Sequence, residues 1–348
     1  VAVHTQDPIE SGGGAIYNDG TLSLTDVLID NNESAGSGGA VFNNGNITNI
    51  SDSLFENNTA EIWGGAIMVH VNHTLGIVSN SRFINNSSSI SGGAIHLESG
   101  ASLAGITDSY FSGNSSADGG AIYSLNSTFT ISGSTFDGNQ ANVGNSPRGG
   151  AVYLIFGEIT INNSTFSENS ASTGGAIHND LGSLTTNNVT FADNNTNQGG
   201  VVYLKISAAS AEINNSLFIN NSSDCEADDG TFSGSNNISD ASTNLCTDTA
   251  TDANIGNFIG VLTDNGGPTP TIALLPGNSA IDAVPANANP AGEATDQRGL
   301  AAFNNRDIGA YEAQPPVVTA PAAVTVEATG PLTSPALGMA TVVDADDV

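Results

Sequence analysis

The chain carries few side chains that can act as a catalytic base. Its 348 residues include 5 lysines and arginines against 35 aspartates and glutamates. The five bases are Arg82, Arg148, Lys205, Arg298 and Arg306. A polysaccharide lyase needs such a base beside a carboxylate-bound calcium ion, and an inverting glycosidase needs two carboxyl groups about 6.5–9.5 Å apart on one face. Acidic residues do not recur at matched positions, so the sequence predicts no glycan lyase or hydrolase activity and no catalytic residues.

Other titratable residues fit structural roles. The two arginines near the C-terminus lie among four acidic residues, and we expect the group to form a polar clasp. Its acidic members are Asp282, Asp296, Asp307 and Glu312. No Ser-His-Asp arrangement stands out. His70 and His73 are three residues apart, which places them on opposite faces of a strand, and we expect ordinary surface or turn histidines.

Two acidic stretches can bind calcium because carboxylate oxygens are its preferred ligands. The first contains Asp224, Glu226, Asp228 and Asp229, and the second contains Asp344, Asp346 and Asp347. A solvated acidic run is the more common meaning of such stretches. The sequence requires no other cofactor, so calcium is the one open candidate.

The charge and composition exclude several partners. A net charge of −30 argues against nucleic acid and against anionic lipid, which both require clustered bases. No apolar run approaches the roughly 18 residues of a membrane span. The 41 glycines, with many Asn and Ser, fit either a disordered chain or a fold built largely of turns.

Two motifs repeat in register and favour the folded alternative. A Gly-Gly pair followed by a small and an aliphatic residue recurs eight times, beginning at Gly13, Gly38, Gly64, Gly92, Gly119, Gly149, Gly174 and Gly199. A Phe with an Asn three residues later runs in step, from Phe55/Asn58 to Phe218/Asn221. In the first repeat we assign Leu28 and Asn31 to these positions.

The spacing of 25–30 residues predicts coils of a parallel β-helix. No segment has a sustained helical period, and Gly, Asn, Ser and Thr are poor helix formers. We expect three short strands in each coil, separated by turns. Stacked coils bury a continuous core that a single coil cannot.

Position within the repeat predicts which residues face inward. The aliphatic residue after each Gly-Gly pair and the phenylalanines should lie inside, with the asparagines forming a hydrogen-bonded ladder at a corner. The glycines should supply positive φ or close packing at another corner. We expect eight coils.

The residue after each buried aliphatic should point outward, since alternate side chains of a strand face opposite ways. These residues form a stripe of Tyr17, Phe42, Met68, His96, Tyr123, Tyr153, His178 and Tyr203. Exposed aromatic side chains in a row can stack on sugars or on a partner protein. The stripe is therefore the candidate binding site, with a stabilising or covered ladder as the alternative.

The repeats at residues 11–222 resemble those of the polymorphic outer membrane protein family and of bacterial surface proteins with a right-handed parallel β-helix. The stretches Asp264–Thr271, Leu275–Asp282, Thr295–Gly299 and Asp307–Glu312 resemble the C-terminal region of secreted proteins of the choice-of-anchor type. The run from Pro315 resembles the start of a hyalin-repeat module, which is immunoglobulin-like. The resemblance implies a right-handed helix, secretion and surface display, and that this chain is a piece of a longer protein.

The resulting domain prediction has three parts: parallel β-helix repeats at residues 1–222, a looped C-terminal coil and cap region at 223–313, and a short β extension or partial immunoglobulin-like segment at 314–348. In an exported protein, Cys225 and Cys246 most simply form one disulfide. The absence of a Cys-x-x-Cys motif and of a nearby His disfavours zinc.

These observations favour a non-enzymatic extracellular structural or adhesion protein, with a carbohydrate-active β-helix enzyme as the alternative. A glycan or a surface protein is the expected partner. We also expect head-to-tail self-association, because Gly13 follows only a dozen residues and residues 314–348 are too few to bury a core. Strand-like pieces at 317–319 and 324–326 could add to a neighbouring chain.

Overall fold

The protein is a parallel β-solenoid. The computed structural model describes residues 12–241, 246, 249–288 and 294–314, and the backbone of two further strands, Val317–Thr319 and Thr341–Val343. Every strand of the coils pairs in parallel with its equivalent in the next coil. Within these residues the helical structure is one 3-10 turn, Ile255–Phe258, and no helix is long and apolar enough to cross a bilayer.

The first strands of the coils form one nine-stranded sheet and number the coils 1 to 9. They are Ile16–Asn18, Val41–Asn43, Ile67–Val69, Ile95–Leu97, Ile122–Leu125, Val152–Ile155, Ile177–Asn179, Val202–Leu204 and Cys225–Ala227. The predicted eight coils are present, and residues 225–239 add a ninth.

The second and third strands form a larger sheet. The second strands are Thr21–Thr25, Asn46–Ser51, Thr74–Ser79, Ser102–Thr107, Thr128–Ser132, Ser210–Asn214 and Thr231–Ser235, and the third strands are Leu28–Asp30, Leu54–Glu56, Arg82–Ile84, Tyr110–Ser112, Thr135–Asp137, Leu217–Ile219 and Asn237–Ser239. In coils 6 and 7 the two merge as Glu158–Ser167 and Ser183–Ala192. Thr249–Thr251 extends the third-strand file.

Each of the first seven coils also has a fourth strand that the sequence did not predict. The fourth strands are Glu33–Ser34, Thr59–Ala60, Ser87–Ser88, Ser115–Ser116, Gln140–Ala141, Ser170–Ala171 and Asn195–Thr196. Each has only two residues, too few for alternation to reveal. They form a seven-stranded sheet, so each of coils 1 to 5 has four strands in three sheets rather than three strands.

The interior is the predicted phenylalanine ladder. Its seven rings, from Phe55 to Phe218, are fully buried, and neighbouring rings stack with centroids 4.7–5.4 Å apart. The aliphatic residues after the glycine pairs are also fully buried in coils 2 to 8, and Ile16 is half-buried. In coil 1 the ladder positions are Ile29 and Asn32, so the assignment of Leu28 and Asn31 was wrong by one residue. Leu28 is instead 66% exposed.

The asparagine ladder closes one corner of the coils. The Asn139 side chain donates at 2.9 Å to both the Asn169 amide oxygen and the Phe111 carbonyl. Its own oxygen accepts from the backbone and side chain of Asn114. Each buried amide therefore has two donors and two acceptor sites filled, which removes the cost of burying it.

The glycine pair closes the opposite corner. Gly149 has φ +66, a conformation that favours glycine, and a Cβ on Gly150 would lie 1.9 Å from the Gly175 carbonyl oxygen of the next coil. The first glycine therefore sets the turn and the second permits close stacking of the coils.

The looped C-terminal region lies on the flank of the solenoid, which differs from the predicted cap. We call residues 264–288 and 294–314 the brace. It follows the strand Ile259–Thr263, which pairs antiparallel with Thr271–Leu274 of the brace. The brace runs over the outward side chains of the third strands. Thr269 donates to the Gly133 carbonyl, and the Thr165 hydroxyl donates to Gln297, 132 residues away. The Ala310 amide donates to Thr190.

Two buried arginines hold the brace together, as the predicted clasp requires. Arg298 pairs with Asp296 at 2.9 Å and Arg306 pairs with Glu312 at 3.0 Å. Arg306 also donates to Asn163 of coil 6, which joins the clasp to the solenoid. Of the other predicted members, Asp307 accepts backbone amides and Asp282 accepts from Asn304.

The predicted strand at 317–319 is present and pairs antiparallel with Thr341–Val343. The predicted strand at 324–326 lies outside the described residues, as do Asp344, Asp346 and Asp347. Residues 1–11 of the first predicted domain also lie outside them.

Candidate functional site

The aromatic stripe points away from the interior as predicted, but it is not exposed. Tyr17 and Tyr123 are half-buried, and the other members, Phe42, Met68, His96, Tyr153, His178 and Tyr203, are buried. The prediction of a free stacking surface was therefore wrong. The alternative of a covered ladder describes the stripe.

In coils 3 to 7 the residue that precedes each glycine pair lies along the stripe. Trp63, Ser91, Asp118, Arg148 and Thr173 follow one another through single parallel bridges from coil 3 to coil 7. Each stands five residues before a member of the stripe. The positive φ of the intervening glycine turns the chain back, so the earlier residue lies against the later side chain.

Side-chain contacts confirm this pairing in three coils. The Ser91 hydroxyl lies 2.8 Å from Nδ1 of His96, and the Thr173 hydroxyl lies 2.9 Å from Nδ1 of His178. Arg148 donates to the Tyr153 hydroxyl at 2.7 Å. Sequence reasoning missed this covering file, although the recurrent separation of five residues was a signal that could have revealed it.

The stripe is apolar in character through coils 1 to 5. Tyr17 stacks on Phe42 with ring centroids 5.4 Å apart, and His96 stacks between Trp63 and Tyr123. Burial lowers the pKa of His96 to about 3 and outweighs its hydrogen bond to Ser91, so the ring is neutral at physiological pH. This half of the stripe has the properties of a packed ladder.

The stripe becomes a charged network in coils 5 to 7. Arg148 holds Asp118 through two nitrogens, at 3.0 and 2.6 Å, and its guanidinium lies over the Tyr153 ring. The Tyr153 hydroxyl donates to Asp180 at 2.6 Å, and Nε2 of His178 lies 2.8 Å from the other oxygen of Asp180. Arg148, Tyr153 and His178 thus meet at the Asp180 carboxylate.

The network fixes the protonation of its members. Burial alone would raise the pKa of Asp180, but hydrogen bonds from His178 and Tyr153 outweigh it and hold that pKa below its usual value. Burial, and then the hydrogen bond to Asp180, raises the pKa of Tyr153. Asp180 is therefore a carboxylate and Tyr153 a neutral phenol near neutral pH.

Beside this network lies an open cleft of about 560 Å³ over coils 6 to 9. Its lining includes Arg148, His178, Asp180, Tyr203, Lys205 and Glu226. Lys205 pairs with Asp228 at the rim, where the two side chains are 48% and 45% exposed. Burial, and then the hydrogen bond to Asp228, raises the pKa of Tyr203 to about 12. We call this opening the polar cleft.

The polar cleft offers donors and acceptors rather than a free catalytic base. Both ring nitrogens of His178 are engaged, and its side chain is only 2% exposed. Both oxygens of Asp180 accept hydrogen bonds. Arg148 and Lys205 are paired with carboxylates but remain partly exposed. Such an arrangement can hydrogen-bond a polyhydroxyl or polar peptide ligand without further proton transfer.

The acidic stretch after coil 8 does not form a calcium cage. Asp224 is buried and accepts from Ser239 and Asn221, and burial raises its pKa to about 6. Asp228 instead pairs with Lys205 in the polar cleft. Among the residues that the structure describes, no three His, Cys, Asp or Glu side chains are grouped to hold a metal ion.

The two cysteines form a disulfide. Cys225 and Cys246 are joined, with their Cα atoms 5.3 Å apart. The bond ties the first strand of coil 9 to the segment that leads toward the brace. His70 and His73 flank a turn, as expected of turn histidines, but they do not lie on opposite faces of a strand: their rings stack 6.1 Å apart, and His70 lies near Glu98.

Comparison with known families identifies the repeats. Five segments match the Chlamydia polymorphic membrane protein repeat: residues 26–44, 52–69, 80–98, 108–125 and 163–180. Each segment spans a third strand, a fourth strand, the glycine pair and the following first strand. Together they cover about a quarter of the chain. Searches of the curated proteins and of the solved structures give no match.

Proposed function

We propose that the protein is a non-enzymatic, surface-displayed rod that binds a partner through the polar cleft. One observation carries the proposal: the cleft is open and polar, yet His178, Asp180, Arg148 and Lys205 are all engaged with one another or with neighbouring side chains. Engaged groups can present a fixed pattern of donors and acceptors to a ligand. They are poorly placed to exchange protons with one.

Surface display is the biological part of the proposal. The matched repeat is named for a membrane protein family of Chlamydia, and a disulfide is a usual feature of exported proteins. The resemblance of the brace to a choice-of-anchor region, and of the run from Pro315 to a hyalin-repeat module, points to the same location. Labelling of intact cells with an impermeant amine reagent tests this. Modification only after lysis would contradict it.

The ligand class we propose is a glycan, because the lining of the cleft presents several polar side chains that can hydrogen-bond sugar hydroxyls. The full chain is tested on immobilised pectin, alginate and a neutral glucan. Lys205→Ala should weaken retention by about tenfold, since it removes an exposed donor at the rim. Arg82→Ala, which removes a base far from the cleft, is the matched control and should leave retention unchanged.

A carbohydrate-active enzyme is the second candidate. The observation in its favour is the joined Asp180, His178 and Tyr153 group with displaced pKa values beside a cleft, a pattern frequent at active sites. The wild type would then release shortened or unsaturated sugars, and Asp180→Asn would not. That result would favour the enzyme over the binding function. Retention without release supports the binding function.

End-to-end self-association belongs to the same proposal. Ile16–Asn18 and Cys225–Ala227 are the terminal strands of the nine-stranded sheet, and terminal strands offer backbone groups to another chain. A heterologous contact of this kind repeats without closure and gives a filament. Sedimentation of the full chain should show large species that grow with concentration. A constant monomer at every concentration would contradict self-association.

A further inference from the structure

The outward face of the third strands divides into two halves with different surroundings. In coils 5 to 8 the outward residues are Thr135, Thr165, Thr190 and Leu217, and the brace lies over them. In coils 1 to 4 the same file continues as Leu28, Leu54, Arg82 and Tyr110. We call these four residues, with the corner residues just before them, the open flank.

The braced half shows how this face holds a polypeptide. Asn163 donates to the Thr295 carbonyl, and Asn188 donates to the Asp307 carbonyl. The Gly309 amide donates to the Asn215 carbonyl. These three asparagines occupy one corner file and share a positive φ of 43–54. The face therefore binds backbone groups of an irregular, extended segment through one file of corner residues and one of outward side chains.

The open flank keeps this geometry but changes its chemistry. Its corner residues are Asp26, Asp52, Asn80 and Asp108, with positive φ of 44–54, so their side chains leave the same corner of the coil. Three of the four positions are carboxylates, so the expectation that acidic residues do not recur at matched positions was wrong for this corner. Carboxylates only accept hydrogen bonds. A segment bound here must therefore supply donors, and cationic side chains are the donors that carboxylates bind most strongly.

The open flank also has apolar surface to cover. Leu28 is 66% exposed and lies beside Leu54 on the next coil. Both leucines line a depression of about 360 Å³ together with Asp26 and Asp52. A second depression of about 210 Å³ lies between Tyr110 and Pro268, where the brace begins. The two depressions of the open flank therefore continue, toward coil 1, the surface that the brace covers on coils 5 to 8.

Arg82 separates the two depressions. Its guanidinium lies over the Tyr110 ring at 5.4 Å. It is the only one of the five bases without an ion pair among the described residues. Asp30 and Glu56 lie two residues after Leu28 and Leu54 on the same strands and also point outward. These two carboxylates keep the open flank strongly acidic. A second copy of this chain, at net charge −30, would meet repulsion here.

We propose that the open flank binds an extended segment of a partner protein in which lysine or arginine alternates with apolar residues. The apolar side chains cover Leu28 and Leu54, and the cationic ones meet Asp26, Asp52 and Asp108. The segment lies along the solenoid axis in line with the brace. The open flank is a second surface, independent of the polar cleft.

The test measures binding of labelled short peptides to the full chain by fluorescence anisotropy. The probe alternates lysine with leucine, and two control peptides alternate glutamate with leucine and lysine with glutamine. The lysine–leucine peptide should bind, and added salt should weaken it. The protein variant Leu28→Ser with Leu54→Ser should weaken it by about tenfold or more.

A charge variant isolates the carboxylates. Asp26→Asn with Asp52→Asn should weaken binding by about tenfold, because Asn tolerates positive φ while removing the charge. Asp193→Asn is the matched control: Asp193 is an exposed residue of positive φ on another corner and should leave binding unchanged.

Four results of the binding experiments would overturn the proposal. They are no binding of the lysine–leucine peptide, equal binding of the glutamate–leucine peptide, equal binding of the lysine–glutamine peptide, and binding that survives both flank variants. Sedimentation of the free chain is the remaining check. A dimer that is lost in the leucine variant would make a second copy the occupant and would also contradict the proposal.

Discussion

The inner ladders and the outward stripe lie on neighbouring faces of the same coils, but they follow different rules. The inner ladder repeats one residue type, with seven phenylalanines at matched positions and an asparagine three residues after each. The stripe varies from coil to coil, from Phe42 through His96 to Tyr153. Inside, each residue meets a copy of itself, so one solution serves every coil. Outside, each residue meets a different covering side chain.

The comparison teaches where function can arise on a solenoid. Identical ladders stabilise stacking but leave no feature that differs from one coil to the next. The stripe changes from an apolar stack at His96 to a charged network around Asp180, and the polar cleft opens beside that change. The positions that break the repeat are therefore the ones that make a site.

The largest loss of stability is expected from a substitution in the phenylalanine ladder. Phe136→Ala should lower the free energy of unfolding by about 3–5 kcal/mol, because the cavity removes ring contacts with two neighbours. Chemical denaturation monitored by circular dichroism measures it. Phe303→Ala is the control, since Phe303 is 61% exposed and should change little. Equal effects of the two would mean that Phe136 is not buried.

The next effect breaks the amide ladder. Asn139→Ala should cost about 2–4 kcal/mol, because it leaves buried partners on both adjacent coils without a hydrogen bond. The same denaturation experiment measures it. Asn142→Ala, at an exposed asparagine three residues later, should be nearly neutral. A neutral Asn139→Ala would contradict a satisfied, buried ladder.

A smaller effect separates the two halves of the stripe. Tyr153→Phe should cost about 1–2 kcal/mol, because the hydroxyl bonds both Arg148 and Asp180. Tyr123→Phe should cost less than about 0.5 kcal/mol, since the Tyr123 hydroxyl makes no hydrogen bond within the described residues. Thermal unfolding of the two variants compares them directly. A larger cost for Tyr123→Phe than for Tyr153→Phe would contradict a hydrogen-bonded network around Tyr153.

The last effect concerns the clasp of the brace and is a change with pH rather than a fixed loss of stability. Burial, opposed by two backbone hydrogen bonds and reinforced by the nearby Glu312, raises the pKa of Asp307 to about 7. A raised pKa means that the folded state prefers the neutral acid. This contribution to stability is complete below about pH 4 and is lost as the pH rises through about 7.

The measurement is the melting temperature of the wild type and of Asp307→Asn from pH 4 to 8. The difference between the two should change across this range, with the variant gaining on the wild type as the pH rises. Asp229→Asn, at an exposed carboxylate outside the brace, serves as the control. A difference that does not change with pH would contradict the raised pKa.

The sequence predicted the inner ladders because both depend on register alone. The motif of Phe136 and Asn139 recurs in phase in coils 2 to 8, and a parallel stack must place these residues beside their equivalents. The ladder position of coil 1 was predicted wrongly because Ile29 replaces Phe there, and Leu28 is an equally apolar residue one position away. The two-residue fourth strands were not predicted because they are too short to show an alternation of apolar and polar residues.

The candidate site was harder to predict for a different physical reason. Strand alternation tells whether a side chain points inward or outward, but not what lies over it. The outward direction of Tyr153 was predicted, whereas its contact with Arg148 depends on the turn geometry of Gly149. The brace posed the same problem, since Gln297 reaches Thr135 across 162 residues of sequence.

Chemical labelling of histidines tests most directly the central claim, that the stripe is a covered ladder rather than an open surface. Native full-length protein is treated with diethylpyrocarbonate and the modified sites are located by mass spectrometry. His96 and His178 should stay unmodified until the protein is denatured, because their side chains are buried, while the half-buried His70 and His73 react first. Native labelling of His96 and His178 at the rate of His73 would contradict the claim.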